Sequence, residues 1–109
     1  MPPDAVSQFA GRVKEAWRAA GRAGSPRIAA LVYFGLGDTD EESRGYLRDY
    51  YAAMGPEVAD MIADSALRSA DAVRAALPAY REAGVDELIL DPTVSDPGQV
   101  DLLAEAALT

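Results

Sequence analysis

Two short clusters in this sequence carry residue types that could do chemistry: Arg68-Ser69, and Asp91 with Thr93 around Pro92. Arg68-Ser69 precedes an apolar-periodic run, so Ser69 is expected to cap a helix. That would leave free backbone N–H groups and a positive dipole end beside a guanidinium, a combination that binds phosphate. The plainer account is a solvated arginine beside an ordinary cap. Asp91 and Thr93 follow a short apolar run, where a carboxylate and a hydroxyl can hydrogen-bond the edge of a ligand, although Asp before Pro also opens turns in its own right. The acidic run Asp38, Asp40, Glu41 and Glu42 invites a calcium or magnesium assignment. Acidic side chains in a first helical turn already have an electrostatic reason to be there, and that reading is preferred. Tyr46, Tyr50 and Tyr51 offer an aromatic wall, yet their helical spacing suits packing, and Trp17 reads as a core anchor.

Composition removes several classes of function. The chain has 109 residues, half of them hydrophobic, which is the size and apolar content of a single globular domain. It contains neither histidine nor cysteine, so no triad hydrolase, disulfide framework or ordinary zinc site can be assembled from it alone. With 18 acidic residues against 10 basic ones and a net charge of -8, it lacks the positive footprint that nucleic acid requires. No apolar run approaches the ~20 residues of a membrane span, and the first residues do not read as a secretory signal, so the expected setting is cytoplasmic, without a membrane.

The elements that must position the candidates are helices punctuated by two strands. Phe9, Val13, Trp17 and Ala20 define an amphipathic helix over residues 5 to 22, closed by Gly24-Ser25-Pro26. Residues 27 to 34 are almost continuously apolar, as in a strand covered on both faces. After Gly35-Leu36-Gly37, Asp38 and Glu41 have capping-box spacing before a helix from about 39 to 53. Gly55-Pro56 opens a short helix bearing Val58, Met61 and Ile62. The helix capped by Ser69 should run to about 83 with Val73, Ala76, Leu77 and Tyr80 on one face, and with a kink or break at Pro78. Gly84 then suits the left-handed position past a helix end, ahead of a second strand over 85 to 90. Asp96-Pro97-Gly98-Gln99 reads as cap, first-turn proline and capping-box glutamine for a last helix burying Val100, Leu103 and Ala107. Two strands joined by a crossover of some fifty residues are most simply parallel.

The stretches from Val13 to Gly55 and from Ala70 to Leu108 resemble the C-terminal segment of the luciferase-like monooxygenases. The strand followed by GDTDEE (37 to 42) and the glycine-ended helix followed by AGVDELIL (83 to 90) carry the likeness. The family's helix opening is kept only in part at residues 68 to 73, where the hydroxyl cap and the valine remain but glycine and proline do not. The resemblance implies an α/β fold, namely the last two parallel strands, with their flanking helices, of a partial (β/α)8 barrel, in a single domain over 1 to 109. It implies a flavin- or deazaflavin-dependent oxidoreductase whose C-terminal portion shields and positions FMN or a deazaflavin without supplying a catalytic acid or base. On that analogy Arg68 and Ser69 are the cofactor-phosphate contact, and Asp91 and Thr93 contact the substrate or the flavin edge. A whole barrel of this kind takes about 250 residues. The expected partners are therefore a missing N-terminal barrel portion or, through the open edges of a two-stranded sheet, a second copy of the chain. The alternative is a non-catalytic interaction or oligomerisation module derived from the same fold.

Overall fold

Helices cover one face of the sheet and leave the other bare. The computed structural model describes residues 1–108. In chain order these form α1 (Pro3–Ala19), β1 (Ala29–Phe34), α2 (Asp40–Tyr50), a single 3-10 turn (Ala52–Met54), α3 (Pro56–Ser65), α4 (Ala70–Glu82), β2 (Glu87–Pro92) and α5 (Gly98–Leu108). The strands pair in parallel, with Leu31 opposite Ile89 and Tyr33 opposite Asp91. The α/β class and the parallel crossover expected from the sequence are therefore present, on a sheet of two strands.

Both strands alternate, which corrects the expectation of burial on two faces. Val32 and Phe34 of β1 are buried, whereas Leu31 is 44% exposed and Ile89 of β2 is 47% exposed. Phe34 and Leu36 pack with Val73 of α4 and Ala106 of α5, with Leu90 and Leu103 against them. A second cluster joins Val6 of α1 to Ala76 and Tyr80 of α4, over Ala30 and Leu88. The continuous apolar run is therefore covered on one face by residues 1–108 and exposed at Leu31 and Ile89 on the other.

Several helices turn a different face inward from the one their large side chains suggest. In α1 it is Val6 and Ala10 that are buried, while Phe9 stays half exposed. Trp17 does not reach the core; its indole N–H donates to the Ala23 carbonyl at 3.1 Å and Arg22 lies over its ring at 3.9 Å, so it fastens the turn after α1. In α3 the small Ala59 and Ala63 face inward and Met61 outward, and in α5 Val100 is exposed while Gln99 and Ala106 are buried. Close helix approach selects small side chains, and the periodicity of large ones marks a second surface. α4 keeps its expected face in Val73, Ala76 and Tyr80 and runs through Pro78 without a break. Gly84, at φ +96°, occupies the conformation expected just past its end.

Neither capping box forms. The cap position of α2 is Thr39, whose hydroxyl donates to the Leu36 carbonyl, so Asp38 and Glu41 are not a reciprocal pair. Asp96 does accept from Gly98 N at 2.9 Å, but Gln99 points elsewhere. Its amide accepts from Leu36 N at 2.8 Å and donates to Leu36 O at 2.9 Å, tying the loop after β1 to α5.

Candidate functional site

The C-terminal ends of the two strands, where ligands collect in parallel α/β folds, carry a buried polar cluster. Thr93 Oγ1 lies 2.9 Å from the Phe34 carbonyl and 2.6 Å from Ser43 Oγ, both hydroxyls being buried. Arg68 Nε donates to Ser43 Oγ at 3.2 Å and sits 3.5 Å from Asp40. The approach of Thr93 and Ser43 requires a glycine at position 35, since a Cβ there would meet Thr93 Oγ1 at 2.7 Å and Ser43 Oγ at 2.9 Å. Ser43 is on the buried side of α2 because it stands one helical turn before Leu47.

The four candidates therefore divide. Arg68 and Thr93 are brought together through Ser43. Ser69 is apart from them, capping α4 by accepting from Ala72 N at 3.0 Å. Asp91 lies in register with Tyr33 on the bare side of the sheet. The Arg68 side chain is only 12% exposed, and its Nη2 is the one buried side-chain nitrogen or oxygen among the described residues without a hydrogen-bond partner. Burial, and after it the neighbouring Arg44, make its proton easier to lose, against the pull of Asp40 and Asp64. A guanidinium so placed gains from an anion that reaches Nη2.

Around this cluster, Arg44 bridges Asp40 and Asp64, and Arg48 bonds Asp60 at 2.9 Å, so that α2 and α3 are clamped by ion pairs. The hydrogen bonds that Arg44 donates to Asp64 and then to Asp40 raise its pKa. Asp40, at the start of α2, thus serves Arg44 and Arg68, and no metal-binding group of carboxylates occurs among the described residues.

A row of tyrosines runs from the bare face along α2. Tyr33 and Tyr51 share a hydrogen bond between their hydroxyls, Tyr50 meets Tyr51 edge to face at 5.0 Å, and Tyr46 stacks on Tyr50 at 6.0 Å. Tyr46 and Tyr50 remain open to solvent, so their helical spacing builds an aromatic row rather than the core face expected of it. The bond to Tyr51, then burial, then the charge environment that includes Asp91 hold the Tyr33 hydroxyl protonated well above the usual phenol range.

Two recesses open nearby. The smaller, about 190 Å³, lies at the amino end of α4 between Gly37, Ser69 and Arg74. The larger, about 740 Å³, follows the outer edge of β1. Sequence reasoning missed Ser43 and the structural use of Gln99. The signal for Ser43 was its i, i+4 relation to Leu47, which marks a buried hydroxyl in need of a partner.

No protein-family model, curated protein or solved structure matches this chain. No helix among the described residues is long and apolar enough to cross a membrane.

Proposed function

We propose that this chain is the closing sector of an α/β barrel of the luciferase-like type, an oxidoreductase using FMN or a deazaflavin, and that it walls and positions the cofactor. The observation that carries the reading is the bare sheet face. Leu31, Tyr33, Ile89 and Asp91 share it, with apolar residues toward one end and a phenol and a carboxylate at the C-terminal end of the strands. Such a face suits the lumen of a barrel whose remaining strands come from elsewhere.

The residues present fit a cofactor in part. Arg68 Nη2 is a donor that a phosphate would satisfy, and Asp91, in register with Tyr33, offers a carboxylate to a ring edge. The hydroxyls of Ser69 and Thr93 are engaged by Ala72 N, Phe34 O and Ser43. Thr93 and Ser69 then act by holding the strand end and the helix start, not by touching the ligand. When bound, the cofactor supplies hydride transfer or oxygen chemistry. The chain's own part is to exclude water with its apolar face and to fix the cofactor's orientation.

The free sheet edges equally support a non-catalytic interaction module, and one titration separates the two. The chain is combined with the amino-terminal portion of a luciferase-like oxidoreductase, and FMN and a deazaflavin are titrated separately, read by Trp17 fluorescence and cofactor absorbance. Saturable binding by the assembly, lost or weakened at least tenfold with Arg68→Met, is expected. An assembly that forms and binds neither cofactor would leave the interaction module as the function.

A further inference from the structure

We infer that the groove along the outer edge of β1 is the seat of one extended, apolar strand from another polypeptide, which pairs with the free backbone of β1. This deepens the barrel reading, on which it rests, by naming the surface where assembly starts.

The backbone of β1 uses only half of its hydrogen-bonding groups toward β2. Ile28 O accepts from Glu87 N, and Phe34 O from Thr93 N. Parallel pairing alternates, so the even-numbered residues between them face β2 and the odd-numbered ones face outward. On the outer side Leu67 already forms a one-residue parallel bridge, with Leu67 N donating to Tyr33 O at 2.8 Å and Gly35 N to Leu67 O at 3.0 Å. Beyond that bridge the outward groups of Ala29 and Leu31, and the Tyr33 N–H, meet no backbone partner among the described residues. The groove begins at this edge and holds about 740 Å³.

The groove's walls select the occupant. None of its lining side chains is charged, in a chain that is 26% Asp, Glu, Lys and Arg, so the inserted residues must be apolar. One wall is the alanine row Ala72, Ala75, Ala76 and Ala79 of α4, and another is Met61 and Ile62 of α3. Small residues on one side and large ones on the other call for a strand whose side chains alternate large and small. The chain's charge of -8 favours basic residues flanking that segment. A second copy fits less well. Its β1 lies at the bottom of the same recess, and its β2 arrives with α5 packed behind it, where α1 and α4 already stand.

The test uses the whole chain and a synthetic peptide of alternating leucine and alanine between lysine pairs. It is prepared unmodified and with backbone N-methylation at either the odd or the even positions. Saturable binding is expected, with Leu31 amide exchange slowed at least tenfold. One methylation pattern should weaken binding at least tenfold and the other leave it unchanged, because only alternate amides of a strand face its neighbour. Ala75→Arg, at an exposed position of α4, should block binding without unfolding the chain. Equal binding of the two methylated peptides, an unprotected Leu31, or no binding would overturn the inference. Protection of Leu31 without peptide, rising with protein concentration alongside a doubled mass, would also overturn it by making the occupant a second copy. A strand that docks while no assembly binds cofactor would sink the oxidoreductase reading and spare the groove. Cofactor binding with Leu31 still unprotected would do the reverse.

Discussion

The two faces of the sheet are built from similar side chains and have opposite fates. On the helix-backed face Ala30, Phe34, Leu88 and Leu90 meet α1, α4 and α5, Val32 is buried, and Phe34 is 1% exposed. On the other, Leu31 and Ile89 are nearly half exposed. The first face carries the core of the isolated chain, whereas the second adds little beyond the Tyr33–Tyr51 contact at its end. The second is apolar, and contiguous apolar surface left in water marks an interaction site. The difference teaches that the hydrophobicity of a strand does not by itself say which of its faces the chain covers.

Substitutions on the two faces should differ widely in effect. The largest effect is expected from Phe34→Ala, which should lower unfolding free energy by about 3–5 kcal/mol in a urea titration, as for a large-to-small change in a packed core. A loss below about 1 kcal/mol would mean that the helix-backed face is not a packed core. Next comes Gly35→Ala, whose Cβ would press on Thr93 and Ser43. Overpacking of this kind costs about 1–3 kcal/mol, and Thr93→Ser in the same chain should recover little, because the crowding oxygen remains.

A smaller effect is expected with pH. The Tyr33 hydroxyl is held protonated chiefly by its bond to Tyr51, and that of Tyr80 by burial, where it donates to Met1 O at 2.7 Å. Both bind their protons more tightly in the fold than in the unfolded chain, so the stability they contribute is complete below about pH 10 and is lost as pH rises through the folded values. The melting temperature should fall on titration into that alkaline window, and Tyr33→Phe together with Tyr80→Phe should flatten the decline. The smallest effect belongs to Ile89→Ala. On the bare face it should change stability by about 0.5 kcal/mol or less, while weakening any assembly that covers this face.

Much of the order of elements was legible in the sequence, because Gly24, Gly55 and Gly84 interrupt the apolar periodicity where the chain turns. The helix-capping role of Ser69 was legible too, since its hydroxyl needs only the local geometry of a first turn. Ser43 and Gln99 were not. Their partners, Thr93 at a separation of 50 residues and Leu36 at 63, exist only after β1 and β2 pair. The second capping box failed for the same reason, a distant partner having taken Gln99, and the first because the cap position fell on Thr39, whose hydroxyl bonds the nearby Leu36 carbonyl. Met61, Val100 and the tyrosines of α2 misled because large apolar side chains also stand on exposed surface, and their periodicity alone does not separate that surface from the buried face.

Amide hydrogen exchange of the isolated chain tests most directly whether the sheet is an open sector. An alternating pattern is expected: slow exchange at Ala30, Val32, Ile89 and Asp91, whose N–H groups point into the sheet, and fast exchange at Leu31, Leu88 and Leu90, whose N–H groups point out of it. Uniform protection along both strands would contradict it, since the edges would then already be covered and nothing would be left for a partner to complete.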